Sequence, residues 1–446
     1  MHRSPLFADP RVTLSRRNLL AMTAGGLLVA GCGGGQGPGG SNEAGVGGFT
    51  GEDYAGPALT LAYWNGFTGG DGPAMQSLVQ SFIDAHDNIT VENNTADWAD
   101  FYQRLPAATQ AGKGPDMGVM HLDQIATNAA RSVIAPLDDL AEAIGLQESD
   151  FAASVWAPGI YQDQRYSIPL DVHTIAMYYN TEHFEKAGIS EPPTDAASLE
   201  DAMKALQSAG YEMPFWMPNQ WPGHLMFLSL LWQFGEEPYA EDGSAASFDS
   251  DGGVQALGWM REQVDKGYSP DNVDIDAQYV AFKNGDNSIT WDGIWQINDL
   301  EDSGLPYGIA KIPVIGNELA AWGNSHNFFM TAQAADDEDR ANAVKTFIGW
   351  MSDQSAAWSE AGMVPARNSA REESEFTDSV QNGLGEQIDA LRFLPPVPGL
   401  GDVQPQTLEV AVNAVVLGKQ APEDALTKAA SDATTLMEEN LEKFGG

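Results

Sequence analysis

The chain has one cysteine and few basic residues. A single cysteine, Cys32, in 446 residues excludes an internal disulfide and a multi-cysteine metal site. Only 22 lysines and arginines oppose 63 aspartates and glutamates, for a net charge of −41. Because nucleic-acid binding needs clustered cations, this composition argues against nucleic acid as a partner. The acids are spread along the chain, a pattern typical of proteins adapted to high salt, where screening acts within roughly 3 Å at 1 M.

The chain also lacks an apolar run long enough to span a bilayer. The apolar residues 19–30 are too few, and they follow the twin arginine Arg16 and Arg17. The run ends in small residues before Cys32. This stretch resembles the lipobox of twin-arginine-exported lipoproteins, in which the cysteine is lipidated and becomes the first residue. It predicts a signal peptide over 1–31 and lipidation of Cys32; the alternative is a chance cysteine in a signal region.

Residues 32–57 comprise the cysteine and, directly after it, a Gly-rich segment over 33–57. Such a composition is typical of a flexible tether, with a root-mean-square reach of about 25–30 Å. A lipid, a tether and a globular body together predict a protein held at the outer face of the cell membrane.

Strands and helices alternate at the start of the globular body. Strands near 59–63, 89–91 and 116–120, separated by helices, predict a parallel sheet covered by helices. Ligands of such sheets bind beyond the carboxyl ends of the strands, on or near which Trp64, Asn65, Asp71 and Asp123 lie. The glycines of 66–72 lack the dinucleotide fingerprint, and the seven histidines are scattered along the sequence. Neither a cofactor nor a metal is therefore predicted.

A buried strand with two polar residues is predicted within 166–180. Its centre is apolar and β-branched, but Asp171 and His173 interrupt it two positions apart. Residues two apart on a strand point to the same face. One reading places Asp171 at a strand edge and makes His173 a satisfied core histidine; the other makes them a functional pair.

Aromatic and polar residues interleave in the later, turn-rich segments. Flat aromatic faces cover the apolar side of a pyranose, and planar polar side chains bond its hydroxyls. Any single tryptophan is more often part of a core, yet the combination indicates a sugar site. The candidates are Trp221, Trp291, Asp292, Trp295, Trp322, Asn324, His326 and Arg367. Among the remaining elements, one continuous helix is predicted over 378–391 and one strand over 307–315.

Six short pieces carry a family resemblance by their order and spacing. They are LTLAYWNG, GKGPDMGVMHLDQ, YSIPLDVHTIAMYYNTEHFEKAGI, ITWDGIW, WGNSHNFFM and GMVPAR. Together they resemble the family 1 extracellular solute-binding proteins of ATP-driven importers, the group that includes maltose-binding protein. The resemblance covers roughly residues 59–444.

The resemblance implies a two-lobe α/β fold with the ligand between the lobes. The chain would cross between lobes near 169–174, near 310–315 and within 370–400. Lobe 1 would comprise 58–171 and 315–375, and lobe 2 would comprise 172–314 and 376–446. By this resemblance the chain would be a monomer and not an enzyme, and it would deliver a sugar to the membrane permease subunits of an ABC importer.

The resemblance also assigns roles to individual residues. Asp123 and His173 fall where the sugar binders place polar ligand contacts, although maltose binders have glutamate at the second position. Trp295 falls on the stacking tryptophan of the family. Pro405 and Gln406 stand near the place of a late aromatic residue, so no particular sugar is predicted. A secreted glycoside hydrolase and a binder of a non-sugar solute remain alternatives, since 63 acids make carboxylate pairs plentiful.

The charge generates a first prediction about salt. Without residues 1–31 the chain has 18 basic and 62 acidic residues, a net charge of −44. Because weak screening leaves this charge to repel itself, the unfolding temperature should rise by several degrees between 0.1 M and 2 M NaCl. Thermal unfolding followed by circular dichroism measures it. A flat response would contradict adaptation to high salt.

Overall fold

The computed structural model describes residues 49–444. The predicted signal peptide, Cys32 and the tether up to residue 48 lie outside the described residues. The strands are β1 (Leu59–Asn65), β2 (Ile89–Thr95), β3 (Met117–His121), β4 (Ile134–Ala135), β5 (Ile160–Tyr161), β6 (Gln164–Arg165), β7 (Ile168–Pro169), β8 (Asp171–Asn180), β9 (Ile289–Gly293), β10 (Tyr307–Ala310), β11 (Ala321–Asn324), β12 (His326–Thr331), β13 (Val364–Pro365) and β14 (Leu391–Arg392).

Helices cover both faces of the sheets that these strands build. They are α1 (Gly72–Ala85), α2 (Trp98–Gln110), α3 (Ile125–Ala130), α4 (Asp138–Ala143), α5 (Ala153–Trp156), α6 (Thr181–Ala187), α7 (Ala196–Ser208), α8 (Gly223–Gln233), α9 (Asp251–Asp265), α10 (Ala277–Lys283), α11 (Ile297–Ser303), α12 (Ala332–Ala335), α13 (Glu338–Asp353), α14 (Ser374–Thr377), α15 (Gly385–Asp389), α16 (Leu400–Val403), α17 (Leu408–Val416) and α18 (Pro422–Phe444). Not one of the helices within residues 49–444 is both long and apolar enough to cross a membrane.

The first sheet has the strand order β2-β1-β3-β12-β4, with β7 paired to β12. Strands β1, β2 and β3 are parallel, as the alternation of strands and helices predicts. Helix α1 begins with a proline in its first turn and buries Met75, Val79 and Phe82 at helical spacing. Strand β12 joins from far along the chain and runs antiparallel to β3, with His326 opposite His121.

The second sheet is organised around β8, which is buried along nearly its whole length. Strands β9 and β10 pair antiparallel with overlapping parts of β8 over 175–180, whereas β11 and β13 pair antiparallel with its first four residues. Strand β14 extends the sheet by pairing parallel with β11. A strand enclosed on both faces is largely apolar, which explains the β-branched and aromatic residues of β8 outside the pair Asp171 and His173.

The two sheets meet where the chain passes from one to the other. Between β7 and β8 the passage is at Leu170, and between β11 and β12 it is at Ser325. The passages lie side by side, because the Leu170 amide donates to the His326 carbonyl over 2.8 Å. The lobe boundaries given above stay a prediction.

Three elements differ from the sequence predictions. The predicted helix over 378–391 is instead a 3₁₀ turn over 380–384, then α15 and β14. The predicted strand over 307–315 ends at Ala310, because Pro313 has no amide proton for a sheet and the Ile312 amide donates to Gln387 Oε1 instead. Helix α8, with every residue buried, was not predicted, since a helix that is apolar all round shows no helical period.

Candidate functional site

Asp171 is a buried carboxylate at the junction of the two sheets. Its Oδ1 accepts from His173 Nδ1 at 3.1 Å and from the His326 amide at 3.0 Å. Its Oδ2 accepts from His326 Nδ1 and from the Trp358 indole nitrogen, both at 2.7 Å. Burial alone would raise the pKa of Asp171, but the neighbouring His326 charge and the histidine hydrogen bonds hold that pKa well below its usual range. The predicted common face of Asp171 and His173 is confirmed.

Three of the scattered histidines come together beside this carboxylate. His121 ends β3, His173 lies on β8 and His326 begins β12, and we call these three the histidine cluster. Their ring centroids are 5.5 Å (121 to 173), 4.9 Å (121 to 326) and 4.2 Å (173 to 326) apart. Burial lowers the pKa of His173 to about 4 and also lowers that of His121. The histidines are scattered in the sequence, but the fold brings these three together, so the argument against a group of histidines at close range is wrong.

Aromatic rings flank the cluster on the side of the first sheet. Phe67 lies 4.8 Å from His326, and Trp98 stacks on His326 at 5.4 Å and lies 4.4 Å from His121. Gly66 makes room for this indole, because a Cβ there would meet the Trp98 ring at 2.1 Å. Neither Phe67 nor Trp98 was among the predicted site residues, although Phe67 stands only two residues after Asn65.

A row of three tryptophans flanks the cluster on the side of the second sheet. Trp295 and Trp322 lie 5.9 and 5.7 Å from the ring of His173. Trp295 lies 6.3 Å from Trp322 and 6.1 Å from Trp221, which is 38% exposed. Gly293 makes room for Trp295, since a Cβ at that position would meet the indole at 2.0 Å. The predicted residues Trp221, Trp295, Trp322, His173 and His326 therefore lie together.

Two further carboxyl groups face this region from the first sheet. Asp71 accepts from the Gly69 amide at 3.2 Å, and burial raises the pKa of Asp71 to about 6 against the opposing His326 charge. Burial also raises the pKa of Asp123 to about 6, while a hydrogen bond with Asn324 lowers it. Asp123 Oδ1 is buried without a partner among the described residues. Asn324 Oδ1 accepts from the amides of Leu122 and Ser325, so it fixes the turn at the second passage.

The side chains of three other predicted residues, Trp64, Asn65 and Arg367, contact other parts of the protein rather than the histidine cluster. The guanidinium of Arg104 lies over the Trp64 ring at 5.2 Å. Asn65 is buried and bonds Asn93 and Thr95 of β2 through its side chain. The guanidinium of Arg367 donates to Ser352 at 2.8 Å and pairs with Asp353 at 3.0 Å, so it is engaged with α13. Their predicted ligand contacts stay predictions.

Trp291 and Asp292 belong to the interior behind β9. Trp291 is 1% exposed and packs against Phe215 and Trp259. Asp292 accepts from the Gly293 amide at 2.7 Å and from Gln278 at 3.0 Å. Burial raises its pKa to about 7, with the hydrogen bonds opposing. Neither side chain contacts the histidine cluster in the hydrogen bonds or ring pairs of residues 49–444, and their predicted ligand contacts stay predictions.

The arrangement suits the capture of a polar solute with apolar faces. Aromatic rings from both sheets surround a small set of carboxyl and imidazole groups, which can accept and donate hydrogen bonds. Contacts across the rim bring the two halves together, since Asn298 Nδ2 donates to the Gly70 carbonyl at 3.2 Å and to the Glu360 carbonyl at 2.7 Å. A solute held here would lose its contact with water.

Two α/β halves, joined by adjacent strand passages and enclosing such a cluster, form the two-lobe fold of periplasmic binding proteins. The bacterial extracellular solute-binding protein family matches this chain over residues 77–383, which is more than half of its length. The chain therefore belongs to the bacterial extracellular solute-binding protein family.

Individual relatives are similar at low sequence identity. The maltotriose-binding protein of Pyrococcus abyssi is 22% identical over 77% of this chain and 74% of its own. The sn-glycerol-3-phosphate-binding periplasmic protein of Escherichia coli O1:K1 is 23% identical over 85% of this chain and 92% of its own. The GacH receptor of Streptomyces glaucescens, known with acarbose bound, superposes with a TM-score of 0.76 at 20% identity, over 86% of this chain and all of its own.

The buried Asp292 generates a prediction about pH. Because folding raises the pKa of Asp292, the folded chain binds more protons than the unfolded chain between about pH 4 and 7. The contribution of Asp292 to the free energy of unfolding therefore falls as the pH rises through that window. Asp292→Asn removes this loss. Asn can keep the Gly293 bond, and a turned Gln278 amide can present its buried Oε1, which has no partner among the described residues, to the new amide. Between pH 5 and 8 the variant should gain roughly 2–3 kcal/mol relative to wild type.

Urea unfolding at both pH values measures this difference. Asp286→Asn, at an exposed position three residues before β9, is the matched control and should follow the wild type. Parallel pH profiles for wild type and Asp292→Asn would contradict the prediction.

Proposed function

We propose that this protein captures a mono- or oligosaccharide between its two lobes and delivers it to an ABC importer without chemical change. The observation that carries the proposal is the row Trp221, Trp295 and Trp322 beside His173. Aromatic faces cover the apolar side of a sugar ring at little cost in conformational entropy, while the adjacent carboxyl groups can bond its hydroxyls. The similarity to a maltotriose-binding protein and to a receptor known with acarbose supports this ligand class.

The similarity to a glycerol-phosphate binder favours a second ligand class, the phosphate esters. A phosphate is bound most strongly by arginine, lysine or backbone amides. Within residues 49–444, no lysine or arginine hydrogen-bonds to the histidine cluster or to Asp71, Asp123 or Asp171. Three carboxyl groups in the same region would repel the phosphate. The electrostatics therefore favour a neutral sugar.

Replacing Trp295 tests the proposal directly. Trp295→Ala should weaken binding of the tightest sugar in a panel of maltose, maltotriose and related sugars by roughly 1–3 kcal/mol, about 5- to 150-fold, from lost aromatic burial. Trp216→Ala, whose indole donates to the Met213 carbonyl at the surface, is the matched control and should keep the wild-type affinity. Calorimetric titration in molar NaCl measures both.

The same measurements identify the outcomes that contradict the proposal. Equal sugar affinities of wild type and Trp295→Ala would show that Trp295 does not contact the sugar. If the wild-type protein binds glycerol 3-phosphate but none of the sugars, its ligand is a phosphate ester and not a sugar. Release of nitrophenol from aryl glycosides by the purified protein would contradict the proposal that it performs no chemistry.

The membrane anchor is the second part of the proposal. Cys32 follows an apolar run and small residues and precedes a Gly-rich segment, the arrangement of a lipidated cysteine on a tether. Cys32→Ser should move the protein from the membrane fraction to the medium, because without the lipid the tether has nothing that binds the bilayer. Immunoblots of both fractions measure this, with Ser41→Ala in the tether as the control. Unchanged membrane retention of Cys32→Ser would contradict lipidation.

A further inference from the structure

We propose that the histidine cluster is a binding site for a divalent transition-metal ion, for which Zn²⁺ is the probe. One ring nitrogen from each of His121, His173 and His326 lies within 4.8 Å of the corresponding nitrogen of the other two. Three imidazoles at this separation can converge on one ion after small side-chain rotations. Zinc sites with three protein ligands keep the fourth position for water or for a bound molecule.

The groups behind the imidazoles are those that metal-binding histidines require. Asp171 accepts from Nδ1 of His173 at 3.1 Å and from Nδ1 of His326 at 2.7 Å. A carboxylate that accepts a hydrogen bond from Nδ1–H leaves the free lone pair on Nε2. It also fixes the orientation of the ring and makes Nε2 a stronger metal ligand. In the hydrogen bonds of residues 49–444 the Nε2 atoms of both rings have no partner, so they are the atoms we assign to the metal.

His121 has an equivalent partner in a phenol. Its Nδ1 lies 2.6 Å from Tyr102 Oη, which also accepts from the His121 amide at 3.0 Å. The ring can donate to this oxygen or accept from it, depending on its tautomer. A metal on Nε2 would select the tautomer in which Nδ1–H donates to Tyr102, and the phenol would then orient the ring as Asp171 orients the other two.

The surrounding charges favour a cation over an empty pocket of imidazoles. The Asp171 carboxyl group lies within hydrogen-bond distance of two of the three imidazoles. A bound Zn²⁺ would offset the charge of this carboxylate, and Phe67, Trp98 and Trp322 flank the imidazoles that would hold the ion.

The position of the site gives the ion a structural role. His121 and His326 belong to the first sheet, whereas His173 belongs to β8 of the second. A metal bound by all three would link the two sheets beside the strand passages. It should therefore stabilise the arrangement in which the two halves meet, with or without a sugar.

Calorimetric titration of the chelator-treated chain with ZnCl₂ in molar NaCl, without any sugar, tests the site. We expect one Zn²⁺ per chain and a raised unfolding temperature, with no such response to MgCl₂, because imidazole is a poor ligand for Mg²⁺. His121→Ala should lose more than tenfold in affinity, since even indirect supports of a metal ligand cost that much.

The matched control is His183→Ala. His183 is also half-buried, and its Nδ1 lies 3.0 Å from the Ser288 hydroxyl, but it is not part of the cluster. It should keep the wild-type Zn²⁺ affinity. Absence of saturable binding to wild type, or equal affinities of both variants, would overturn the proposal.

Cobalt provides a second measurement that does not depend on a variant that folds. Co²⁺ added to the wild-type chain should give the visible absorption of a tetrahedral site with nitrogen ligands, and Zn²⁺ should displace it. An octahedral Co²⁺ spectrum, as for the ion in water, would overturn the proposal. Since sugar is absent throughout, these results are independent of those that test the proposed function.

Discussion

The carboxylate of Asp171 holds together the place where the chain changes sheets. It accepts four hydrogen bonds, from both histidines of the strand passages, from the His326 amide and from Trp358. A buried charge is stable only when it is fully bonded, and removing one partner of such a group costs roughly 3–5 kcal/mol. Trp358 lies on a segment far along the chain, so one side chain joins three distant stretches of sequence.

This arrangement explains why the polar pair in β8 is compatible with a buried strand. An aspartate and a histidine on the same face of an enclosed strand would destabilise it if they pointed into an apolar core. Here they point to the gap between the sheets, where the partners come from β12 and from Trp358. The same residues that complete the backbone junction thus form the floor of the site. The candidate site and the strand passages therefore cannot vary independently.

The sequence predicted the parts of the fold that depend on local patterns. The parallel order of β1, β2 and β3 follows from alternating strand and helix periods, and the two-residue spacing of Asp171 and His173 placed them on one face. Helix α8 was missed because it is buried on every side and has no period. The region 378–391 was misread because its short elements owe their form to β11 and other distant partners rather than to their own periodicity.

The candidate site was predicted in part for a related reason. Trp295, Trp322, His173 and His326 lie in motifs with a local signature, whereas His121 was not singled out despite standing two residues before Asp123 in one of the quoted motifs. Its importance arises from strand pairing, because β12 returns from position 326 to place His326 opposite His121. Pairings between strands 200 residues apart leave no trace in a single sequence.

The resemblance to maltose binders places His173 where those proteins carry a glutamate, and a histidine there changes what the junction can hold. A glutamate is charged and accepts hydrogen bonds only, whereas the neutral imidazole of His173 offers one donor and one acceptor nitrogen. Because Nδ1 donates to Asp171, Nε2 is the acceptor. The remaining nitrogen of His173 can bond a sugar hydroxyl or a metal ion, but not both at once. Two ligands that share a group are thermodynamically coupled, and the coupling acts equally in both directions. A metal on the three imidazoles would therefore alter sugar affinity, by displacing the hydroxyl or by offering its own open position to it.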